Sequence, residues 1–276
     1  RLNVEEDQAA AFLLGQFPLG ARIVATASVR MDDYERFGDH STYALGAVAR
    51  PWPSLRLFAS YATAFKAPSL SERFEISPFN LGNPDLRPER SQFWEIGADW
   101  RPDAQLSMGG GYYQTRIDNL IEYDFASLRH INIGEAEMHG AEAYLEATPS
   151  SWASLRLSYA WTEARNGQTG APLLRRPENA WRFDAPITPA ERVALALSWT
   201  YVGKRGDIIY DDNGAFDPLS HEIEAYSIGA LGVTLDLDAR MQLFARIENL
   251  TDETYEQPAA FAGSPSTERS ARPFQC

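Results

Sequence analysis

Side chains capable of chemistry occur throughout this sequence, yet few are spaced to act together. The histidines, His40, His130, His139 and His221, are scattered and share no metal-ligand spacing. Asp211, Asp212, Asn213 and Asp217 gather oxygens around Gly214, the donor type a calcium ion takes, although a hydrated acidic loop is the commoner explanation of such a run. Ser69 and Ser71 lie beside Glu72, with no histidine at an interval that would pair a nucleophile with a base. Gly109, Gly110 and Gly111 resemble a phosphate-binding loop only in composition. They fall inside a strand pattern with no helix after it, so relief of crowding or a bend is their expected role. The lone cysteine, Cys276, leaves no internal disulfide and no cysteine metal site. No catalytic, cofactor or metal site is expected, and the chain reads as a protein other than an enzyme. Ligand contacts are expected instead from long connections, where aromatic and polar groups converge. Arg73, Phe79, Asn80, Tyr123, Tyr210 and Asp211 are the candidates, each weighed against an ordinary loop role.

The elements that would position them are strands. Leu55, Leu57, Ala59 and Tyr61 alternate with Arg56, Ser60 and Ala62, the period of a sheet with one apolar face, and only Phe58 interrupts the polar side. After Phe65 the pattern stops at Ala67-Pro68-Ser69, and prolines at 78, 84 and 88 predict no regular element until Glu89. Trp94, Ile96, Ala98 and Trp100 then alternate with Phe93, Glu95, Gly97 and Asp99. Two amphipathic strands joined by so long an irregular stretch mark a functional loop, because connections in compact domains are mostly short.

Composition narrows the class. A net charge of −13 argues against a nucleic-acid partner held by phosphate neutralisation. No apolar run reaches the roughly 18 residues of a transmembrane helix. A mean hydropathy of −0.35 does not exclude a membrane barrel, where only alternate residues face lipid. The chain opens RLNVEEDQ without a methionine or signal peptide and reads as a fragment or a processed chain.

Taken in order, the pattern gives twelve strands. They cover about 8–17, 21–31, 41–50, 55–65, 89–100, 105–123, 136–148 and 152–164, then two flanking 188–190 and two flanking 236–238. Turns near 18, 52, 102, 150, 189 and 237 are short. Links near 36, 77, 130, 171, 212 and 260 are long. Among them 32–40, 124–135 and the acidic 203–221 read as loops, and 251 onward reads as irregular. Long loops at one end of every hairpin suit an up-and-down outer-membrane barrel better than a soluble sandwich. Leu155, Leu157, Tyr159 and Trp161 are expected on lipid, as are Val193, Leu195, Leu197, Trp199 and Tyr201, and Met241, Leu243, Ala245 and Ile247. The stretch EAYSIGALGVTL has no clean alternation and gives no orientation. Trp52, Trp100, Trp152, Trp199 and Tyr201 gather at strand ends, as interfacial aromatic girdles do.

FKAPSLSERF and GNPDLRPERSQFWEIG, at 65–74 and 82–97, resemble the signature of TonB-dependent outer-membrane receptors, most closely the cobalamin and siderophore receptors. YQTRIDNLIEY, INIGEA, PLLRRP and FARIENLTDETY are similar to further family positions, so the resemblance covers nearly the whole chain. It implies an all-β, antiparallel up-and-down transmembrane barrel, present in part: about twelve of 22 strands around a plugged lumen. Residues 1–276 would be the C-terminal part of that barrel, with the plug domain and the final strand absent. The tail SPSTERSARPFQC departs from the family's glycine-arginine pair, last strand and terminal aromatic, and reads as a truncated or frame-disrupted end. The implied function is active import of a scarce ligand, cobalamin or a ferric siderophore, in the outer membrane of a Gram-negative cell. The implied partners are outer-membrane lipid and the TonB complex, the latter through the missing plug, with the intact protein a monomer. A passive porin is the alternative, having the same wall without a plug.

Overall fold

A computed structural model describes residues 4–78, 80–124, 126–210 and 216–257, without the side chains of 208–221. In chain order the elements are β1 (Gln8–Leu19), β2 (Ile23–Tyr34), β3 (Gly38–Trp52), β4 (Leu55–Lys66), α1 (Leu70–Phe74), β5 (Glu89–Trp100), β6 (Leu106–Asp124) and β7 (Arg129–Ser150). There follow β8 (Ala153–Asn166), β9 (Asn179–Ala190), β10 (Val193–Val202), β11 (Arg205–Tyr210), β12 (Phe216–Ile223), β13 (Tyr226–Asp236) and β14 (Gln242–Glu248). Twelve strands make one antiparallel sheet in the order β1 to β10, then β13 and β14, while β11 and β12 pair separately. This is the up-and-down order expected, with neighbours in sequence adjacent in space.

Four expected loops are shorter or more ordered than the sequence predicts. β2 and β3 run into 32–40 until only residues 35–37 remain, and β6 and β7 leave only 125–128. Asp32 pairs in register with His40 and Asp33 with Asp39, so the ladder continues through polar residues. Polarity marks solvation there and does not end a strand, since the backbone bonds do not depend on side-chain type. The stretch 203–221 contains β11 and part of β12, with Arg205 opposite Ile223 and Asp207 opposite His221. The stretch 67–88 contains α1, which lies ahead of the prolines at 78, 84 and 88 and so escapes their restriction.

The chain divides into two compact units: 1–98, 112–139 and 163–173 in one, 99–111, 140–162 and 174–276 in the other. In the first, residues directly opposite on neighbouring strands share a face. Leu13, Val29 and Tyr43 line up across β1, β2 and β3, and Leu19, Ile23, Ala49 and Leu57 across β1 to β4. The opposite face carries Thr26, Gly46 and Ser60 in one row and Arg30 with Thr42 in another. There Arg30 holds Asp32 at 2.7 Å, and Ser60 donates to Glu95 at 3.0 Å.

In the second unit the apolar row Leu157, Phe183, Trp199 and Gly229 crosses β8, β9, β10 and β13, and Ala185, Leu197, Leu231 and Ile247 form another. The other face carries Arg156, Asp184 and Ser198 in register. It is laced by Arg156–Glu146 at 2.5 Å, Arg182–Asp184 at 2.7 Å and Tyr144 donating to Asp99 at 2.9 Å. The register also orients β13, which the sequence left open. Ser227, Gly229, Leu231, Val233 and Leu235 share the face of Leu195 and Leu197.

Among the described residues the buried apolar side chains are few and mostly alanines: Ala136, Ala153, Ala164, Ala185 and Ala230, with Leu86, Ile121, Leu173 and Ile223. Large apolar groups instead stand outward on the face of Leu13, which is 71% exposed, with Trp52 at 62% and Leu243 at 55%. Each such group forfeits about 1.5–3 kcal/mol if it stays in water. A sheet that exposes this many is built for an apolar surrounding.

Candidate functional site

The longest described connection in the first unit, 67–88, starts with a capped turn. Ser69 accepts from the Glu72 N–H at 3.2 Å, and Glu72 accepts from the Ser69 N–H at 2.7 Å, a reciprocal box that fixes α1. Arg73, two positions before the C-cap Glu75, is 1% exposed. Its guanidinium pairs with Glu6 at 2.9 Å and lies over the Phe74 and Phe37 rings at 4.5 and 5.1 Å. Gly82 holds φ +60°, and a Cβ there would sit 2.8 Å from the Arg73 carbonyl. Asn80 exchanges backbone bonds with Ser77, donates its amide to the Ser71 carbonyl at 3.2 Å and accepts from the Gly82 N–H at 3.1 Å. Arg73 and Asn80, both expected as ligand contacts, are thus engaged in holding their own loop.

The same connection is sewn to the β6–β7 turn. Leu81 N–H donates to the Leu128 carbonyl at 2.9 Å, and the Asn83 amide to the His130 carbonyl at 2.8 Å. Asn132 accepts from the Arg87 N–H at 2.8 Å and donates to the carbonyls of Arg87 and Asn119, at 2.9 and 2.7 Å. Asn119 sits at φ 57°, an irregularity inside β6. Two residues on, the Ile121 N–H is taken by buried Glu89 at 2.8 Å, which also receives Lys66 at 3.3 Å. A buried carboxylate is tolerable when so satisfied. Tyr123 is half-buried and packs edge-on to His130 with ring centroids 5.2 Å apart.

Beside this seam lie two cavities of about 440 and 400 Å³ that share His40, Arg90 and Asp118. The larger is lined by the rings of His40, Tyr43 and Phe65, with His40 stacked on Phe65 at 3.6 Å. The smaller adds Phe37 and Arg87. Arg87 and Arg90 are exposed and make no ion pair among the described residues, whereas Asp118 lies 3.8 Å from Arg116. Rings, guanidiniums and carboxylates in this arrangement can bind a ligand.

In the second unit, Arg175 at φ 62° pairs with buried Asp207 at 2.6 Å, and its N–H donates to Gly206 at 2.7 Å. Lys204 bonds Glu222 and Glu224 at 2.9 and 3.1 Å, and these hydrogen bonds, Glu222's foremost, hold its ammonium above the usual lysine range. Buried Arg205 lies over Tyr226 at 5.5 Å and donates to the Glu256 carbonyl at 3.2 Å, while Tyr226 stacks on Tyr255 at 4.5 Å. The Asn249 amide exchanges two bonds of 2.9 Å with the backbone of Glu253. Tyr210 ends β11 opposite Phe216. Phe79 and Asp211 lie outside the described residues, as do Asp212 and Asn213 of the acidic cluster.

Glu89, Asn83, Asn132 and Asp207 were not singled out from the sequence. The S-x-x-E spacing of Ser69 and Glu72 was a legible sign of α1. The side-chain-to-backbone bonds of Asn83 and Asn132 reach 47 and 45 positions away and leave no local signal.

Solved structures similar to this chain include several receptors. A ferric enterobactin receptor of Pseudomonas aeruginosa superposes with a TM-score of 0.76 at 20% identity, over 91% of this chain and 40% of its own length. A siderophore receptor of the same organism gives 0.72 at 20% identity, over 90% and 44%. The ferripyoverdine receptor of the P. aeruginosa outer membrane gives 0.73 at 17%, over 90% and 35%. At these identities the likeness is one of fold, and the chain spans about two fifths of the length of these proteins. The family profile described as TonB dependent receptor-like, beta-barrel, matches residues 2–250. The chain belongs to the TonB-dependent receptor β-barrel family.

Proposed function

We propose that this chain is wall and outer rim of an outer-membrane importer for a ferric siderophore, driven through TonB by a plug outside these residues. The carrying observation is the single two-faced sheet, whose apolar rows remain uncovered while the opposite face is laced by ion pairs. That division suits lipid on one side and a wet lumen on the other. Tyr43 and Trp52 on β3, and Trp161 and Trp152 at β8, stand nine residues apart. At about 3.4 Å per residue and a tilt near 40°, that is roughly 23 Å of height, close to the ~25 Å apolar band of outer-membrane barrels. The strands of 19 and 22 residues, β6 and β7, exceed the ~9–11 that a crossing needs, so their ends project from the bilayer. Structural relatives whose names specify siderophores favour that class over cobalamin. The passive-channel alternative gains no support from the family match. Under this reading 1–276 is one barrel domain, monomeric in the intact receptor, and Asn80, Tyr123 and Tyr210 lie at the ligand-facing end.

The test is uptake of radiolabelled ferric siderophores by cells carrying the full gene, with and without TonB. Uptake that stops when TonB is deleted is expected. Uptake indifferent to TonB contradicts the importer reading and favours a passive pore.

A further inference from the structure

We infer that the buried Arg73 guanidinium is a bolt that joins three connections at one end of the sheet into a single body. A strain on the segment entering β1 would then reach α1 and, through it, the β6–β7 turn. The inference goes beyond the importer reading and does not depend on it. Gln8 pairs with Tyr34 and Tyr34 with Gly38, which sets residues 4–7 beside the turn 35–37. Ala44 pairs with Ala62, so β4 brings Lys66 and the loop 67–88 to that same end.

Arg73 is where the three meet. Its guanidinium, 1% exposed, pairs at 2.9 Å with Glu6, which lies 67 positions away in sequence. It also lies over Phe37 of the β2–β3 turn at 5.1 Å and over Phe74 of α1 at 4.5 Å. Arg36 of the same turn lies over Phe74 at 5.8 Å. Residues 4–7 are tied to that turn directly. The Glu35 N–H donates to the Asp7 carbonyl at 3.1 Å, and the Asp7 N–H to the Glu35 carboxylate at 3.2 Å. Past α1 the contacts continue, with the Asn83 N–H donating to the Glu72 carbonyl at 2.9 Å. Leu81 and Asn83 then hold the carbonyls of Leu128 and His130.

Apolar packing does not make this join. A cavity of about 310 Å³ lies among the three connections, with Val4, Glu6, Glu35, Leu70, Arg73 and Phe74 in its lining. Groups that face a void lose their packing partners on that side, so the charged and stacked contacts carry the join. A buried guanidinium deprived of its carboxylate becomes an uncompensated charge. The Arg73 Nε already has no acceptor among the described residues, which leaves Glu6 little substitute. The planar group matters too, because an ammonium cannot lie flat over two rings.

Amide hydrogen exchange of the full receptor in detergent micelles tests this, read on peptides covering 4–7, 35–37, 67–88 and the β6–β7 turn. The proteins compared are the unaltered receptor, Arg73→Met, Arg73→Lys, Glu6→Gln and, as a control in the second unit, Arg156→Gln. Arg73→Met should speed exchange about tenfold or more in the first three segments together, with a smaller rise in the β6–β7 turn. Glu6→Gln should speed it within 67–88, although the substitution lies outside that loop. Arg73→Lys should fall between the unaltered protein and Arg73→Met. A rise confined to 67–88 in Arg73→Met makes Arg73 an ordinary loop residue and overturns the inference. Should Arg73→Met fail to fold, Glu6→Gln decides alone, and unchanged exchange within 67–88 overturns it. An equal rise in these segments with Arg156→Gln traces the effect to global destabilisation and overturns it as well.

Discussion

Glu89 is the residue on which the β4–β5 connection turns. Its buried carboxylate satisfies the Ile121 N–H and receives Lys66 from the end of β4. Glu89→Ala leaves that N–H without its acceptor, at a cost of about 1–3 kcal/mol. The expected outcome is a lower urea midpoint in micelles with little change in far-UV β signal, and an unchanged midpoint would deny Glu89 this role. Gly82 is constrained differently, by φ +60° and by the Arg73 carbonyl 2.8 Å from any Cβ. Gly82→Ala should cost roughly 1–3 kcal/mol through backbone strain and crowding. Limited proteolysis would register it as faster cleavage within 67–88. Arg73 shows why residue roles were hard to read in advance. Its place in a long polar loop pointed to a ligand, yet Glu6, Phe37 and Phe74 enclose it, and Glu6 and Phe37 lie outside any local pattern. Asn83 and Asn132 were similarly hidden, because their amides serve distant backbone.

At the level of the element, most of the sheet was legible. β1, β4, β5, β6 and β8 begin and end within about two residues of the alternation, since a half-apolar strand shows its period directly. β13 is also placed within about two residues, but it shows no alternation, and Gly229 gives the reason. A Cβ there would meet the Trp199 ring at 2.7 Å, so the position must be bare to let the indole lie across it. An apolar face built from one large group over one absent group loses its alternation on the second strand. Gly229→Val is expected to lower the urea midpoint through overpacking, by about 1–3 kcal/mol. Adding Trp199→Ala should recover part of that loss, a coupling a double-mutant cycle detects. Additive losses would argue against the contact. The hairpin β11–β12 and the ends of β2, β3, β6 and β7 are rich in polar residues, which a sequence pattern assigns to loop.

At the scale of the whole molecule, the proposed function requires an apolar face toward lipid and a polar face toward water. The sequence conveyed this through its turns, short at 20–22, 53–54 and 191–192 and long at 67–88 and 167–178. Ligand chemistry was not legible at this scale, because the groups around the cavities come from β3, β4, β5 and β6, and only folding brings them together. The most direct test places nitroxide labels singly at 193 to 201 along β10 in the receptor reconstituted into bilayers, and reads collisions with oxygen and with a water-soluble nickel chelate. Labels at Val193, Leu195, Leu197 and Trp199 should favour oxygen, those at Ala194, Ala196, Ser198 and Thr200 the nickel chelate, with a period of two. Uniform shielding from both reagents at Leu195 and Leu197, as inside a protein core, would contradict the account.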